Sequence, residues 1–343
     1  MSDNPEISVF NMPPEWAPHA RTWMMWPRRG EVWDDIRATQ KNYTSVAHEI
    51  RDFEPVSMVV HPEDRAQAHS MLGSDIELLE HPIDDSWARD AGPCFLTNEA
   101  GERAGVCFEF NAWGQKYTPF DGDNSAAAAI LEAAGVPAVH SDLIAEGGGV
   151  SVDGEGTILS TESCFPNANR NPDWSRDDIE QELLRKLGAK KLIWLPGNAE
   201  ETETDGHVDG ISVFVGSGAA IIQDPGPSHH HWHDIHAANI EAIEHQTDAQ
   251  GREIRLFRLP DASEIQVDGA DICDSYVNSY ICNGAVIMPQ YGIRQDGLVR
   301  EILQEALSGR EVISVPIWDI AIGGGGIHCI TQQEPLGQRD AIK

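Results

Sequence analysis

The stretch LVREILQEALSGREVISVP (298–316) decides how the chain is read. Leu298, Val299, Ile302, Leu303 and Ala306 recur at helical spacing, and Gly309 breaks that period. Val312, Ile313 and Val315 then form a short apolar strand that closes on Pro316. The same order occurs four more times: Val46–Phe53 before PVSMVVHP (55–62), Ala126–Ala134 before GVPAVH (135–140), Ile179–Leu187 before GAKKLIWLP (188–196) and Ile235–His245 before GREIRLFRLP (251–260). The strands start near 56, 136, 192, 254 and 312, at intervals of 80, 56, 62 and 58 residues. A unit repeated at that period predicts radial repetition.

Further strands are expected at Val106–Phe110, Thr157–Thr161, Gly210–Val215 and Ala219–Gln223. Tyr276–Cys282 and Ala285–Met288 flank Asn283-Gly284, a strong hairpin signal. Ser175 and Asp178 form a capping box for the third helix, and Pro62–Leu72 predicts an extra helix in the first unit. No Pro/Ser-rich linker divides the chain, so residues 1–343 are read as a single domain.

Within 343 residues there are 56 acids and 24 Lys/Arg, giving a net charge of −32. That charge argues against nucleic acid and anionic membrane as partners. Only 6 of the 24 cations are lysines, which suits a solvated acidic surface; attraction of a cationic substrate is the functional extra. No apolar run is long enough for a membrane helix, and Met1–Met12 lacks the layout of a signal peptide, so a cytoplasmic protein is expected. Cysteines 94, 107, 164, 273, 282 and 329 include no C-x-x-C pair, and reduced thiols are expected.

Polar or glycine-rich loops follow the repeat strands: DDSWARD (84–90), AEGGGV (145–150), TDGHVDG (204–210), VDGADICDS (267–275) and GGGGIHC (323–329). Five units around an axis would bring them together at one end, joining a cysteine, a histidine and acids. Cys329, after four glycines and a histidine, is the candidate nucleophile in a setting that can lower a thiol pKa; the plainer reading is a buried small hydrophobe after a flexible turn. His207 and Asp209, two apart at the head of HVDGISVFV, are expected on one face of a strand as an acid/base beside a carboxylate. Glu200, Glu201, Glu203 and Asp205 before them read as a solvated acidic loop.

Asp84, Asp85 and Asp90 around Trp87 would cradle a flat cation; alternatively Arg89 neutralises its neighbours in a salt-bridged turn. Glu146, ahead of Gly147–Gly149, would bind that cation or orient the histidine. The tract His229, His230, His231, His233 and His236 raises a metal site, although no H-E-x-x-H is present. Gly323–Gly326 is no phosphate loop, since G-x-x-x-x-G-K-[ST] is absent.

Taken together, DDSWARDAGP (84–93), EGGGV (146–150), TDGHVDG (204–210), GGGGIHCITQQEP (323–335) and MPPEWAPHARTWMMWP (12–27) resemble the agmatine deiminases, which belong with the bacterial peptidylarginine deiminase-type enzymes of the guanidine-modifying superfamily. The resemblance spans Met12 to Pro335 and implies the pentein fold, a five-bladed α/β propeller with pseudo-fivefold repeats. It implies Cys329 as nucleophile and His207 as general acid/base. Asp90 and Asp209 would hold the guanidinium, Glu146 would support histidine and substrate, and Trp87 would line the pocket. The implied reaction turns agmatine into N-carbamoylputrescine and ammonia through an amidino-cysteine, without metal or organic cofactor. One departure is Gly326, where relatives usually carry asparagine; the lost amide would alter the rigidity of the nucleophile loop.

The expectation is therefore a metal-independent deiminase acting on a small cationic guanidinium compound, with the oligomeric state, homo-oligomer included, left open. The alternatives are a deiminase or related hydrolase for free or peptide-linked arginine, a metal-dependent amidohydrolase using His229–His236, and a pentein that only binds its ligand.

Overall fold

Local sequence sets the element ends. Ser175 accepts from the Asp178 N–H while Asp178 bonds back to the cap, and Asp35 caps its helix through two N–H groups. Gly135 and Gly188 end their helices in the left-handed region, at φ 65° and 67°, where a Cβ would be strained.

The computed structural model describes residues 9–30, 33, 35–265 and 272–337. Strand β1 (His19–Met25) leads through helix α1 (Ile36–Arg51) to β2 (Val56–Val60), parallel to β1; α2 (Arg65–Leu72) then leads to β3 (Glu77–Glu80), parallel to β2. After the one-turn helix α3 (Ala88–Ala91), β4 (Cys94–Thr97) runs antiparallel to β5 (Arg103–Glu109). The short α4 (Ala112–Gln115) and then α5 (Asp121–Ala134) carry the chain to β6 (Ala138–Ile144), parallel to β5.

This antiparallel pair, helix and parallel return recur in β7 (Ser151–Val152), β8 (Thr157–Thr161), α6 (Arg176–Leu187) and β9 (Lys191–Leu195). They recur in β10 (Ser212–Gly216), β11 (Ala219–Gln223), α7 (His233–Glu244) and β12 (Arg255–Leu259). A further copy is β13 (Tyr280–Cys282), β14 (Ala285–Gln290), α8 (Arg294–Ala306) and β15 (Glu311–Pro316). Beyond α9 (Trp318–Ala321), β16 (Gln332–Pro335) pairs antiparallel with β1 and completes the first sheet.

The result is a mixed α/β fold that has, among the described residues, five separate sheets, one of four strands in the order β16-β1-β2-β3 and four of three strands. The five repeat strands are β2, β6, β9, β12 and β15, and the long first interval is filled by α2 and β3. Inner strands are covered on both faces: all five residues of β8 and the first five of β14 are buried. Among the boundaries that differ from the sequence reading, two lie in the connections between sheets. The strand expected from Tyr276 begins at Tyr280, because Ser275 Oγ accepts the Val277 N–H and turns the chain. Val208–Gly210 is a 3₁₀ turn and the strand begins at Ser212. Of the loop 267–275, residues 267–271 lie outside the described residues. Among the described residues no helix is long and apolar enough to cross a membrane.

Candidate active site

Five connections, each joining the last strand of one sheet to the first strand of the next, touch one another in a closed cycle. Asp90, on α3, accepts the Gly148 N–H from the β6–β7 connection at 3.0 Å. Glu146 there lies 3.6 Å from His207 of the β9–β10 connection. Asn278, between β12 and β13, donates to the Asp209 carbonyl at 3.5 Å and to the Cys329 sulfur at 3.1 Å. The Cys329 carbonyl accepts the Arg89 N–H at 3.1 Å, which returns the cycle to α3. Groups up to 240 residues apart in sequence are thereby held within a few ångströms.

His207 stands between two carboxylates, with Nδ1 3.7 Å from Asp90 and Nε2 3.6 Å from Glu146. The backbone comes this close only because residue 148 is glycine: a Cβ there would lie 2.6 Å from His207 Nδ1 and 2.7 Å from Asp90 Oδ1. Burial works against a charge on the imidazole, but Asp90, the Cys164 sulfur and Glu146 outweigh it and hold its pKa well above the usual range. Burial likewise opposes the Glu146 carboxylate, yet Arg170 and His207 keep its pKa low. Arg170 donates to Glu146 Oε1 at 2.7 Å and to Asp205 at 2.5 Å. Asp90 is pushed up by burial, with Asp209 and Glu146 adding to it and His207 opposing.

Asp209 accepts from His328 Nδ1 at 2.8 Å and lies 3.8 Å from the Cys329 sulfur. The other nitrogen of His328 meets Glu15 at 2.7 Å, and Arg89 reaches the same carboxylate at 3.4 Å. Glu15, despite its burial, is thereby pulled down to about 2, and Asp209 is lowered mainly by His328, against burial. The lowered thiol expected at Cys329 is not found. Burial, then the Asp209 carboxylate, push its pKa well up, and these charges from other loops outweigh the glycine-rich backbone. Asn278 occupies the space that a side chain at 326 would need, its Oδ1 2.5 Å from a Cβ built there. Its amide accepts the Cys329 N–H and donates to the sulfur, so the nucleophile loop does not lack an amide.

A cavity of about 290 Å³ opens onto His207, Asp209, Asn278 and Cys329, with Glu200, Glu201, Glu203 and Asp274 also on its walls. Trp87 lines an adjoining pocket with Asp90 and Cys329, its ring tilted 32° against that of Trp33 at 5.3 Å. The segment 200–205 is not the solvated loop expected. Glu201 accepts the N–H groups of Glu203, Thr204 and Gly206, and Asp205 is paired with Arg170 and Lys116. Arg89 does not neutralise its neighbours; it turns away, is buried, and donates to Gln333 at 2.7 Å. The histidine tract brings His236 and Trp232 to the cavity wall, while His230 pairs with Asp261 and His233 with backbone carbonyls. Among the described residues, convergent triplets of metal-donor groups lie elsewhere.

Arg170, Asn278, His328 and Glu15 carry functional contacts that sequence reasoning missed. Glu15 sits in the quoted MPPEWAPHA segment and His328 beside the candidate nucleophile, so a signal existed for both. Nothing local marks Arg170 or Asn278.

Beside Trp87, burial and the Asp123 carboxylate push Asp85 up to about 7, against Arg29 3.6 Å away. An acid raised by folding contributes stability that is full below its unfolded value near 3.8 and lost as pH rises through about 7. Asp85→Asn should therefore out-melt the parent by a margin that widens by about 2 kcal/mol between about pH 5 and 8. Calorimetry at both pH values reads this; a constant or narrowing margin would mean that Arg29 neutralises Asp85.

The Porphyromonas-type peptidyl-arginine deiminase family matches residues 11–335. A relative named agmatine deiminase, from Ectopseudomonas mendocina, is 37% identical over 98% of this chain and 99% of its own. The solved agmatine deiminase of Enterococcus faecalis superposes with a TM-score of 0.93 at 33% identity, covering 98% of each chain. DDAH from Pseudomonas aeruginosa, at 13% identity and a TM-score of 0.52 over 92% of this chain and 99% of its own, shares the fold alone.

Proposed function

The chain belongs to the Porphyromonas-type peptidyl-arginine deiminase family, and on that premise we propose that it hydrolyses agmatine to N-carbamoylputrescine and ammonia, with Cys329 as nucleophile and His207 as general acid/base. The observation that carries this reading is the closed cycle of five connections beside two adjoining pockets, joining a thiol, an imidazolium and three carboxylates. In the same reading the five sheets are the blades of a pentein propeller and residues 1–343 form one domain.

Asp90 and Asp209 take the planar guanidinium by charge-assisted hydrogen bonds and set its central carbon against the sulfur. The arriving cation offsets the Asp209 charge felt by the thiol, which then releases its proton to solvent. The thiolate adds to the carbon, and the imidazolium of His207 donates its proton to one amino group, which leaves as ammonia. The product of this half is a thiouronium on Cys329. Neutral His207 next takes a proton from water, the hydroxide adds to the same carbon, and the C–S bond breaks to give the ureido product and the thiol. Trp87 packs along the pocket, and Glu146, fixed by Arg170, keeps His207 cationic until its proton is needed.

Substrate choice follows from the walls. Acids line the cavity, and none of its described lining residues is lysine or arginine. The ammonium of agmatine meets a favourable field there, with Glu203, held by Tyr117 at 2.7 Å, facing both pockets. The α-carboxylate of arginine would be desolvated without a partner, because Arg89 is committed elsewhere. Ammonia release should favour agmatine over arginine by about 10² or more in kcat/KM. Equal rates, or a preference for arginine or peptidylarginine, would overturn the substrate assignment.

A further inference from the structure

Behind the imidazole lies a thiol that the proposed reaction does not use. Cys164 is completely buried in the segment after β8, and one donor atom each from Cys164, Glu146 and His207 lies within 4.8 Å of the others. Three polar atoms here are buried without a hydrogen-bond partner: Glu146 Oε2 and both nitrogens of His207. Unsatisfied buried groups of this kind are rare and call for a ligand or an ion. Arg170 takes Oε1 of Glu146 and thereby turns Oε2 toward the imidazole.

We propose that Glu146, Cys164 and His207 form a binding site for one thiophilic divalent cation, zinc being the best match, and that its occupancy blocks the reaction. Thiolate sulfur, imidazole nitrogen and carboxylate oxygen are the donor types zinc takes. Donors on a tetrahedral zinc lie about 3.3–3.8 Å apart, given bonds of about 2.0–2.3 Å. The 3.6 Å between His207 Nε2 and Glu146 Oε2 already meets that spacing. Binding displaces the protons of the Cys164 thiol and the His207 imidazolium to solvent, and Glu146 with the resulting thiolate then balances the ion, while the nearby Arg170 charge is matched by Asp205. His207 lines the cavity, which gives the ion an entry route. An imidazole bound to the ion cannot carry a proton to the leaving ammonia; this blocking half rests on the acid/base role proposed above.

The other convergent triplet differs. In Asp153, Glu155 and Asp248 the carboxylates are already engaged, Asp153 by Thr157 and two backbone N–H groups and the other two by Arg252.

Cobalt(II) serves as the spectroscopic probe on metal-free protein. Wild type and Cys329→Ser should each bind one equivalent and develop a sulfur-to-cobalt charge-transfer band; Cys164→Ser should lose that band and bind zinc at least tenfold more weakly against a chromophoric chelator. Zinc-loaded Cys329→Ser should also show one sulfur at about 2.3 Å by X-ray absorption, a readout that stands even if Cys164→Ser fails to fold. A band lost with Cys329 and kept without Cys164, a sulfur-free cobalt spectrum, or no stoichiometric binding would each overturn the site. Zinc should inhibit ammonia release reversibly; strong binding with full turnover would overturn the blocking role. If the wild type releases no ammonia from agmatine, the reaction assignment fails while the cobalt spectra still decide the site.

Discussion

Cys329→Ser should fold as the parent does and lose turnover by about 10³-fold or more, since a hydroxyl at neutral pH is far less ionised than a thiol. The surroundings sharpen this expectation. Burial and Asp209 already oppose an anion at this position, so a group with a still higher pKa has no route to the nucleophilic form. The Asn278 amide, 3.1 Å from the sulfur, meets a hydroxyl equally well, and the packing should survive. Acid-quenched wild type under turnover should carry an amidino adduct on Cys329 by mass spectrometry, and the serine variant should carry none. Residual activity within about tenfold of the parent would remove Cys329 from the role. Single replacements of Cys94, Cys107 and Cys282, away from the cavity walls, should retain the chemistry.

Asp209→Asn should lower kcat/KM for agmatine by roughly 2–5 kcal/mol, and Asp90→Asn by a similar amount. That is about 30-fold to several thousandfold. Asp209 is held ionised by His328 and aimed past the sulfur, so the amide removes a charge from the place where the guanidinium must sit. Asp90 is fixed from two sides, by Trp113 Nε1 at 2.9 Å and the Gly148 N–H at 3.0 Å, and loses the same partner role. The two act on one cation, so the double variant should fall short of the summed losses. Steady-state kinetics on each single variant is the test. Wild-type kcat/KM in either would assign that carboxylate a merely structural role.

The five units were legible because each carries its own local instructions: an apolar helical stripe, a polar or glycine break and a short apolar strand, often closing on proline. The capping box at Ser175 and the Asn283-Gly284 turn were legible for the same reason. What local patterns do not contain is the field at a point where several loops meet. The thiol at Cys329 was read from its glycines, while its pKa is raised first by burial and then by Asp209, 120 positions away. Glu200–Asp205 looked solvated, yet it is ordered by Arg170 and Lys116 from other segments. Cys164 read only as one of six unpaired thiols, and only the fold brings it to His207. Gly326 looked like the loss of an amide, and only the fold shows Asn278 in that space.

The pairing of β16 with β1 also sets an order of events during synthesis. Cys329 lies three residues before β16, and Glu15, which contacts its neighbour His328, lies four residues before β1. A ribosome delivers these two segments more than 300 residues apart. Until the second emerges, β1 keeps one edge unpaired, an invitation to association that its apolar Trp23-Met24-Met25 run makes stronger. The nascent chain therefore carries an exposed edge and no assembled thiol site for most of its synthesis, and a single late strand-pairing event ends both conditions. Closure of the first sheet and assembly of the surroundings of Cys329 are thus one and the same pairing.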